Sequence, residues 1–214
     1  MTLHEMRKNY QLGAIDKGSL ASSPVDQFHI WFEELKSASV PEWFERNAVA
    51  LATSSLAGVV SSRIVLLKSA DVDGFKFFTN YGSAKARQMS ENPHAAMTFY
   101  WPMLERQIRV EGTISKTDPS TSDAYFQSRP YLSRLGAIAS PQSQVIQDDL
   151  RLEEMVEALQ KQYPDEHVPR PEFWGGYNLK PNHVEFWHGK PSRLHDRFRY
   201  RLSGSEWLIE RLAP

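Results

Sequence analysis

Five stretches before residue 120 show the residue pattern of short β-strands, and turn-forming sequences separate them. They span residues 48–53, 59–68, 75–80, 95–101 and 107–116. Three more strands are predicted near the C-terminus, at residues 183–188, 193–202 and 207–212. Short strands joined by turns, with helices inserted among them, predict a mainly β fold of the α+β class, built on an antiparallel barrel.

Helices are predicted before and among these strands. The first begins at Ser23, a good N-cap that is followed by proline in the first turn. A second begins at Asp118 and must end near Arg129, because Pro130 cannot continue it. A third, with an amphipathic pattern, begins after Ser143. These helices are expected to flank the barrel.

Composition narrows the class of partner. A length of 214 residues suits one domain. The 25 Lys and Arg residues nearly balance the 26 Asp and Glu residues, and the formal charge of −1 argues against non-specific nucleic-acid binding. No signal-peptide core and no apolar run of membrane-spanning length is present, so a soluble, cytoplasmic protein without a membrane partner is expected. The chain has no cysteine, and its seven histidines lack metal-ligand spacing, so no metal is expected.

One predicted C-terminal strand carries a cationic row on one face: Arg193, His195, Arg197, Arg199 and Arg201. Such a row can be the solvated face of an edge strand. Four arginines without a lysine favour recognition instead, because guanidinium groups bind anions in bidentate fashion and stack on rings. Asp196 interrupts the opposite, apolar face and has no role in this interpretation.

Three further groups of residues could bind phosphate. Arg63 and Lys68 bracket an apolar strand, but their odd spacing places them on opposite faces, and a buried strand with two solvent-reaching cations is the favoured interpretation from the residues alone. Residues 79–85 join a strand to a helix start, where hydroxyls, amides and a lysine can hold phosphate. A third set recurs every four residues: Tyr125, Arg129 and Ser133. A phenol, a guanidinium and a hydroxyl that converge would suit a second phosphate.

Several sequence blocks occur together in one order. They are Arg63-Ile64-Val65-Leu66-Leu67-Lys68, Phe78-Thr79-Asn80, Ser83-Ala84-Lys85, Leu104-Glu105-Arg106-Gln107, Tyr125-Phe126-Gln127-Ser128-Arg129-Pro130, Gln142-Ser143, Phe173-Trp174-Gly175-Gly176 and Arg193-Leu194-His195-Asp196-Arg197. With these blocks the chain resembles the pyridoxine (pyridoxamine) 5′-phosphate oxidase family.

The resemblance implies an antiparallel split β-barrel with flanking helices that works as a homodimer, with FMN at the subunit interface. It implies a mobile N-terminal segment, residues 1–22, and a single FMN-binding domain, residues 23–214. The implied reaction oxidises pyridoxine or pyridoxamine 5′-phosphate, a small phosphorylated pyridine, to pyridoxal 5′-phosphate, with O2 as acceptor and H2O2 as product. Ala84 stands where the family usually has a basic residue, so one contact to the FMN phosphate is expected to be missing.

The resemblance also implies residue roles. The FMN ligands would be Arg63, Ile64, Val65, Leu66, Leu67, Lys68, Phe78, Thr79, Lys85, Gln107, Gln142, Ser143, Trp187 and Arg197. The residues that grip the substrate phosphate would be Lys68, Tyr125, Arg129 and Ser133. The residues near the pyridine ring would be Arg193, Leu194 and His195, and those of the covering segment Arg7, Lys8, Asn9 and Tyr10. Arg193 and His195 are the candidate catalytic residues, with His195 orienting the substrate and managing a proton.

Two alternatives stay open. A related FMN split-barrel oxidase of the phenazine type could share the FMN residues, although the set of Tyr125, Arg129 and Ser133 argues against it. A non-catalytic carrier of FMN or pyridoxal phosphate would bind its ligand without consuming O2.

Overall fold

The computed structural model describes residues 2–6, 9–147 and 151–214. In these residues five α-helices are present: α1 (Pro24–Ser37), α2 (Ala84–Glu91), α3 (Pro119–Ser128), α4 (Tyr131–Ala139) and α5 (Leu152–Gln162). The strands of the same part are β1 (Ala48–Ser54), β2 (Val60–Leu66), β3 (Ser69–Asp71), β4 (Gly74–Asn80), β5 (His94–Trp101), β6 (Arg106–Lys116), β7 (Trp174–His188), β8 (Asp196–Ser203) and β9 (Glu206–Arg211).

All nine strands belong to one antiparallel sheet, in which seven follow the order β2-β1-β5-β6-β7-β4-β3 and the other two, β8 and β9, branch from β7. The long strand β7 divides this sheet. One edge of β7 pairs with β6, whereas the other edge pairs first with β4 and then with β8, which in turn pairs with β9. The sheet therefore separates into two arms beyond the middle of β7, and the fold is an antiparallel split barrel of the α+β class.

A bulge marks the point where β7 changes partners. The register between β6 and β7 shifts between Glu111 and Gly112, opposite Pro181. A Cβ atom on Gly112 would lie 2.0 Å from the carbonyl oxygen of Lys180, so no other residue allows this approach of the two strands. The bulge also accommodates Pro181, which lacks an N–H for the ladder.

Two apolar clusters hold the helices on the sheet. The larger one lies between α1 and the barrel strands, where Phe28 packs edge-on against Phe75 and Trp31 against Phe186. The smaller one is centred on Phe126, Leu135, Val168 and Trp174, and it joins α3 and α4 to the start of β7. The second cluster brings the α3–α4 junction beside β4 and α2, where the candidate site lies.

The structure confirms the strands predicted before residue 120 and those near the C-terminus to within a few residues, except at two places. The strand predicted at residues 183–188 is the second half of β7, and the strand predicted at residues 193–202 begins only at Asp196. The predicted starts of α1 and α3 are confirmed, and the Ser23 hydroxyl accepts the N–H groups of Val25 and Asp26.

Three elements were not predicted: β3, α4 and the first half of β7. The helix expected directly after Ser143 is wrong in its start, because α5 begins at Leu152. Residues 148–150 lie outside the described part. None of the described helices is long and apolar enough to cross a lipid bilayer.

Candidate active site

Lys85, in the first turn of α2, lies at the centre of a small polar cradle. Only 9% of its surface is exposed, and its ammonium donates to Gln142 Oε1 (2.7 Å), Thr79 Oγ1 (3.1 Å) and Ser83 Oγ (3.2 Å). Ser83 is also the N-cap of α2. We call Lys85, Thr79, Ser83 and Gln142 the Lys85 cradle. Its uncharged oxygens orient the ammonium without neutralising it, and no carboxylate in the described part of the chain pairs with it.

Arg63 of β2 is a second cation whose partners are neutral. Its Nη1 donates to Thr53 Oγ1 (2.6 Å) and to the carbonyl of Leu51 (3.2 Å). The Thr53 hydroxyl donates to Gln88 Oε1 (2.5 Å), and Gln88 Nε2 donates to Ser61 Oγ (2.9 Å). This chain of hydrogen bonds fixes the direction of the Arg63 guanidinium and links it to α2.

The charges of Arg63 and Lys85 influence each other. Burial, and then the positive charge of Arg63, lower the pKa of Lys85 to about 8. Burial also lowers the pKa of Arg63. Two nearby cations with neutral partners favour the binding of an anion, as predicted for residues 79–85 from their sequence. Ala84, at the first position of α2, is exposed and adds no charge here.

A second cationic cavity, of about 380 Å³, opens at the α3–α4 junction. Arg129 and Ser133 line it together with Asn80, Gln142 and Trp174. The Arg129 guanidinium carbon lies 4.7 Å from the centre of the Trp174 ring, and its Nη1 is buried without a hydrogen-bond partner among the described residues. A buried donor without a partner is costly, and an anion in the cavity would satisfy it. Gln142 belongs to both this cavity and the Lys85 cradle, so the two sites adjoin.

Aromatic rings connect Lys68 to this cavity. Tyr125 of α3 stacks on Phe78 of β4 at 3.9 Å between ring centres, and both rings lie nearly parallel to Trp174. Lys68 follows the end of β2, and its Nζ lies 5.7 Å from the centre of the Tyr125 ring. Because the strand ends before Lys68, the odd spacing from Arg63 does not hold the two cations on opposite faces. Tyr125 interacts electrostatically with Arg129 but does not line the cavity, whereas Arg129 and Ser133 line it directly.

A separate pocket of about 580 Å³ surrounds His195. The His195 ring lies 4.7 Å from that of Trp187, and its Nδ1 accepts the N–H of Lys190 (3.1 Å). That hydrogen bond places the proton of the neutral ring on Nε2. Burial, and then the charge of Arg193, lower the pKa of His195 below its ordinary 6.5. Arg193, which also lines the pocket, has a left-handed backbone (φ 61°).

Residues 9 and 10 close one side of this His195 pocket. Tyr10 packs edge-on against both Trp187 and His195, at 5.5 Å between ring centres in each case, and Asn9 lines the same pocket. Arg7 and Lys8, the other residues predicted for the covering segment, lie outside the described residues.

The predicted cationic row is wrong in its first half. Arg193 and His195 lie before β8, in and just after a 3₁₀ turn that starts at Pro191, so the strand period does not apply to them. Arg197 does lie on β8, where it forms a bidentate ion pair with the nearly buried Glu185 (2.7 and 3.0 Å). Arg199 and Arg201 share Glu210. The row is therefore largely neutralised by acidic residues of β7 and β9.

Asp196 lies opposite the row, on the buried face of β8. Its Oδ1 accepts from Lys190 Nζ (3.2 Å) and Arg211 Nη2 (3.0 Å), and its Oδ2 accepts the N–H of Ile15 (3.1 Å). Burial alone would raise the pKa of Asp196, but the hydrogen bond from Ile15 and the two cations outweigh it and lower that pKa. The partners of Asp196 therefore lie within the same chain.

The remaining residues with predicted roles are placed as follows. Ile64 and Leu194 are largely exposed, Val65 and Leu66 are half-buried, Leu67 is buried, and Ser143 is exposed with a left-handed backbone. Gln107 on β6 lies in register with Trp187 on β7, which in turn lies in register with Arg197 on β8. Register partners share a face of the sheet, so these three side chains form one row.

The predicted residues thus form two groups. The first comprises the Lys85 cradle, Arg63, Lys68 and the Arg129 cavity; the second comprises the His195 pocket and the row of Gln107, Trp187 and Arg197. Their cavities share no lining residue, and no hydrogen bond, ion pair or ring contact between described residues joins the groups directly.

Comparison with known families identifies the family of the chain. Residues 35–163 match the family model described as "Pyridoxamine 5'-phosphate oxidase", and residues 174–214 match "Pyridoxine 5'-phosphate oxidase C-terminal dimerisation region". The chain belongs to the pyridoxine/pyridoxamine 5′-phosphate oxidase family.

Relatives named pyridoxine/pyridoxamine 5′-phosphate oxidase resemble the chain over its whole length. Those of Pseudomonas fluorescens Pf-5 and Synechocystis sp. PCC 6803 are 49% and 46% identical, and each match covers 100% of this chain and 99% of the relative. The solved structure of PhzG from Burkholderia lata 383, in complex with tetrahydrophenazine-1-carboxylic acid, is 30% identical with a TM-score of 0.86, over 94% of this chain and 100% of PhzG. These similarities establish the oxidase family and its fold.

Thr53 and Gln88, which orient Arg63, were not predicted. Thr53 is a polar residue at an inward position of β1, and this break in the apolar pattern was the available signal. Glu105, which is 3% exposed in a left-handed turn, belongs to a quoted sequence block but received no role.

Proposed function

We propose that the chain is an FMN-dependent oxidase that converts pyridoxine 5′-phosphate and pyridoxamine 5′-phosphate to pyridoxal 5′-phosphate, with O2 as electron acceptor and H2O2 as product. The observation that carries this proposal is the pair of adjoining cationic sites, the Lys85 cradle with Arg63 and the Arg129 cavity. Two phosphate sites side by side suit a phosphorylated cofactor next to a phosphorylated substrate. Membership of the family supplies the chemistry that links the two ligands.

The residues of the first site fit the phosphate of FMN. Lys85 and Arg63 have neutral partners, so their charge is available, and Thr79 and Ser83 add hydroxyls. When bound, FMN supplies redox chemistry: it accepts a hydride equivalent from the substrate and passes the electrons to O2. The protein contributes position and electrostatic field, and Gln107, Trp187 and Arg197 are the proposed contacts in the other group of residues.

The Arg129 cavity is the proposed site of the substrate phosphate. Its unsatisfied guanidinium N–H and the Ser133 hydroxyl are donors for phosphate oxygens, and Lys68 lies across the Tyr125 ring. Binding at the phosphate, far from the reacting carbon, fixes the distance and orientation of the pyridine ring.

The proposed active form is a homodimer with FMN between the subunits. The two groups of residues do not meet within one chain, and residues 174–214, which carry Trp187, His195 and Arg197, match a dimerisation region. A C2 interface would bring the Lys85 group of one subunit to the His195 group of the other. Residues 23–214 would form the FMN-binding domain of each subunit, with residues 1–22 as a covering segment, in a cytoplasmic enzyme.

His195 is proposed to orient the pyridine ring and to manage a proton, with Arg193 over the ring. Because burial and the charge of Arg193 lower the pKa of His195, the ring gains its second proton at a lower pH than an ordinary imidazole. We expect turnover to fall as the pH decreases through the pKa of His195. His195→Ala should reduce kcat about 100-fold or more and remove this acidic limb. A variant with the wild-type kcat and pH profile would refute the role.

The charge of Lys85 predicts how FMN binding depends on pH. A bound phosphate dianion favours protonated Lys85, so affinity should be nearly constant below the pKa of about 8 and decrease as the pH rises through it. Quenching of FMN fluorescence by the apoprotein measures this. The Lys85→Met variant should lose most of the slope, and an unchanged slope in that variant would assign the titration to another group.

The proposed function is tested by assaying pyridoxal 5′-phosphate and H2O2 from both vitamin B6 phosphates, with tetrahydrophenazine-1-carboxylic acid compared in parallel. Turnover of the B6 phosphates supports the proposal. The 30% identity to PhzG favours a phenazine-type oxidase as second candidate, and oxidation of the phenazine alone would establish it. Binding of FMN without turnover of any of these compounds would indicate the non-catalytic carrier.

A further inference from the structure

Residues 9–15, which we call the N-terminal strap, form neither helix nor strand, and Asn9 and Tyr10 lie at the rim of the His195 pocket. Tyr10 of the strap packs against Trp187 and His195, and its ring also covers Gly189. A Cβ atom on Gly189 would lie 2.5 Å from Tyr10 Cγ, so the strap and the end of β7 are in close contact. The position of Tyr10 therefore depends on what holds the strap main chain.

Glu105 holds the middle of the strap. It is 3% exposed, and its left-handed backbone (φ 53°) ends the 3₁₀ turn Pro102–Leu104. Its Oε2 accepts the N–H groups of Gln11 (2.7 Å) and Leu12 (2.9 Å), while its own carbonyl accepts the N–H of Gly189 (2.8 Å). One residue thus connects the strap to the surface on which Tyr10 packs.

Asp196 holds the end of the strap. It is 2% exposed, and its Oδ2 accepts the N–H of Ile15 (3.1 Å) while Lys190 and Arg211 neutralise its other oxygen. Lys190 also donates its backbone N–H to His195 Nδ1. The strap, Asp196, Lys190 and His195 therefore form one connected set of hydrogen bonds.

The three hydrogen bonds that Glu105 and Asp196 make to the strap all involve its main-chain amides, those of Gln11, Leu12 and Ile15. A buried carboxylate that accepts an amide N–H makes a charge-assisted hydrogen bond, which is stronger than a neutral one. The two carboxylates thus fix the course of the backbone between residues 11 and 15, whichever side chains the strap carries. Tyr10 directly precedes Gln11, whose amide N–H is bound by Glu105, so this hydrogen bond also restricts the position of the Tyr10 ring.

We propose that Glu105 and Asp196 are positioning residues that clamp the N-terminal strap over the His195 pocket, so that strap docking and substrate binding stabilise each other. Neither residue lines the pocket, and both act through the strap and Tyr10. The inference rests on the proposed function for the identity of the substrate. The clamp itself is tested without substrate.

Amide hydrogen exchange of the FMN-loaded full-length protein tests the clamp directly. Glu105→Gln keeps an acceptor oxygen but removes the charge, and we expect exchange at Gln11 and Leu12 to become about tenfold faster or more. Asp196→Asn should have the same effect at Ile15. The matched controls are Glu33→Gln and Asp123→Asn, which remove the charge of exposed carboxylates on α1 and α3. Unchanged exchange at the strap amides in both clamp variants would overturn the proposal.

Gly189→Ala is a second probe that leaves both carboxylates in place. Its added methyl group should displace the Tyr10 ring and accelerate exchange at Gln11 and Leu12. Core amides such as those of Met97 and Val110 should keep their protection in all variants, which would show that the fold is intact.

Substrate kinetics then distinguish positioning from a purely structural role. We expect the clamp variants to raise KM for the B6 phosphates about tenfold, with a smaller change in kcat, and pyridoxal 5′-phosphate should slow strap exchange in the wild-type protein. If the strap amides of the clamp variants exchanged faster but the KM of these variants equalled that of the control variants, the positioning role would be overturned. Faster exchange in a protein whose wild type oxidises no B6 phosphate would support the clamp and refute the proposed function.

Discussion

Arg129→Ala is expected to raise KM for pyridoxine 5′-phosphate about 100-fold or more while FMN stays bound. The guanidinium Nη1 is buried without a hydrogen-bond partner in the described part of the chain, and the residues that line the cavity with it are neutral. Hydrogen bonds to charged groups contribute about 1.5 to 3 kcal/mol each, so loss of a bidentate contact to phosphate gives an effect of this size. Steady-state kinetics at saturating FMN, together with the flavin content of the purified variant, measure both quantities.

The control for this variant is Arg151→Ala, which removes an exposed arginine that pairs with Glu154 at the start of α5. Its KM should match that of the wild type. If Arg129→Ala lost FMN and kept its KM on reconstitution, Arg129 would belong to the cofactor site and the assignment of the two phosphates would be wrong.

Lys85→Met is expected to weaken FMN binding and to leave the KM for the substrate nearly unchanged, which is the opposite of the result expected for Arg129→Ala. Methionine fills most of the buried space but has no charge, so Thr79, Ser83 and Gln142 lose their common donor. We expect the Kd for FMN to rise about 10- to 100-fold. Position 84 is alanine, so no basic side chain there replaces the lost charge of Lys85. At saturating FMN the KM for the substrate should stay within about twofold of the wild-type value.

Fluorescence titration of the apoprotein with FMN provides the measurement, with Lys36→Met on the exposed face of α1 as the control. A wild-type Kd in Lys85→Met would mean that the cradle does not hold the cofactor phosphate. Together with Arg129→Ala, the two variants separate cofactor binding from substrate binding.

Local sequence patterns predicted the parts of the site that local geometry determines. The N-cap Ser83 and the cation Lys85 lie within one turn of each other, and proline at position 130 separates α3 from α4 beside Arg129. In these places the residues that interact are close in sequence, so periodicity and capping rules were sufficient.

Features that depend on distant residues were missed. The first half of β7 contains Gly175, Gly176 and Pro181, which disfavour a strand, but pairing with β4 and β6 on both sides overrides that propensity. The prediction that Arg193 to Arg201 form one strand was wrong at its start, because the 3₁₀ turn at Pro191 delays the start of β8 to Asp196. The partners of Asp196 lie at positions 15, 190 and 211, and only the folded chain brings them together.

The proposed enzyme oxidises the B6 phosphates through bound FMN. The most direct measurement mixes the FMN-loaded protein with pyridoxine 5′-phosphate or pyridoxamine 5′-phosphate in the absence of O2 and records the visible absorption of the flavin. We expect that the flavin bleaches, that one pyridoxal 5′-phosphate forms for each FMN, and that air restores the yellow colour with release of H2O2. A flavin that stays yellow with both substrates would contradict the proposed function.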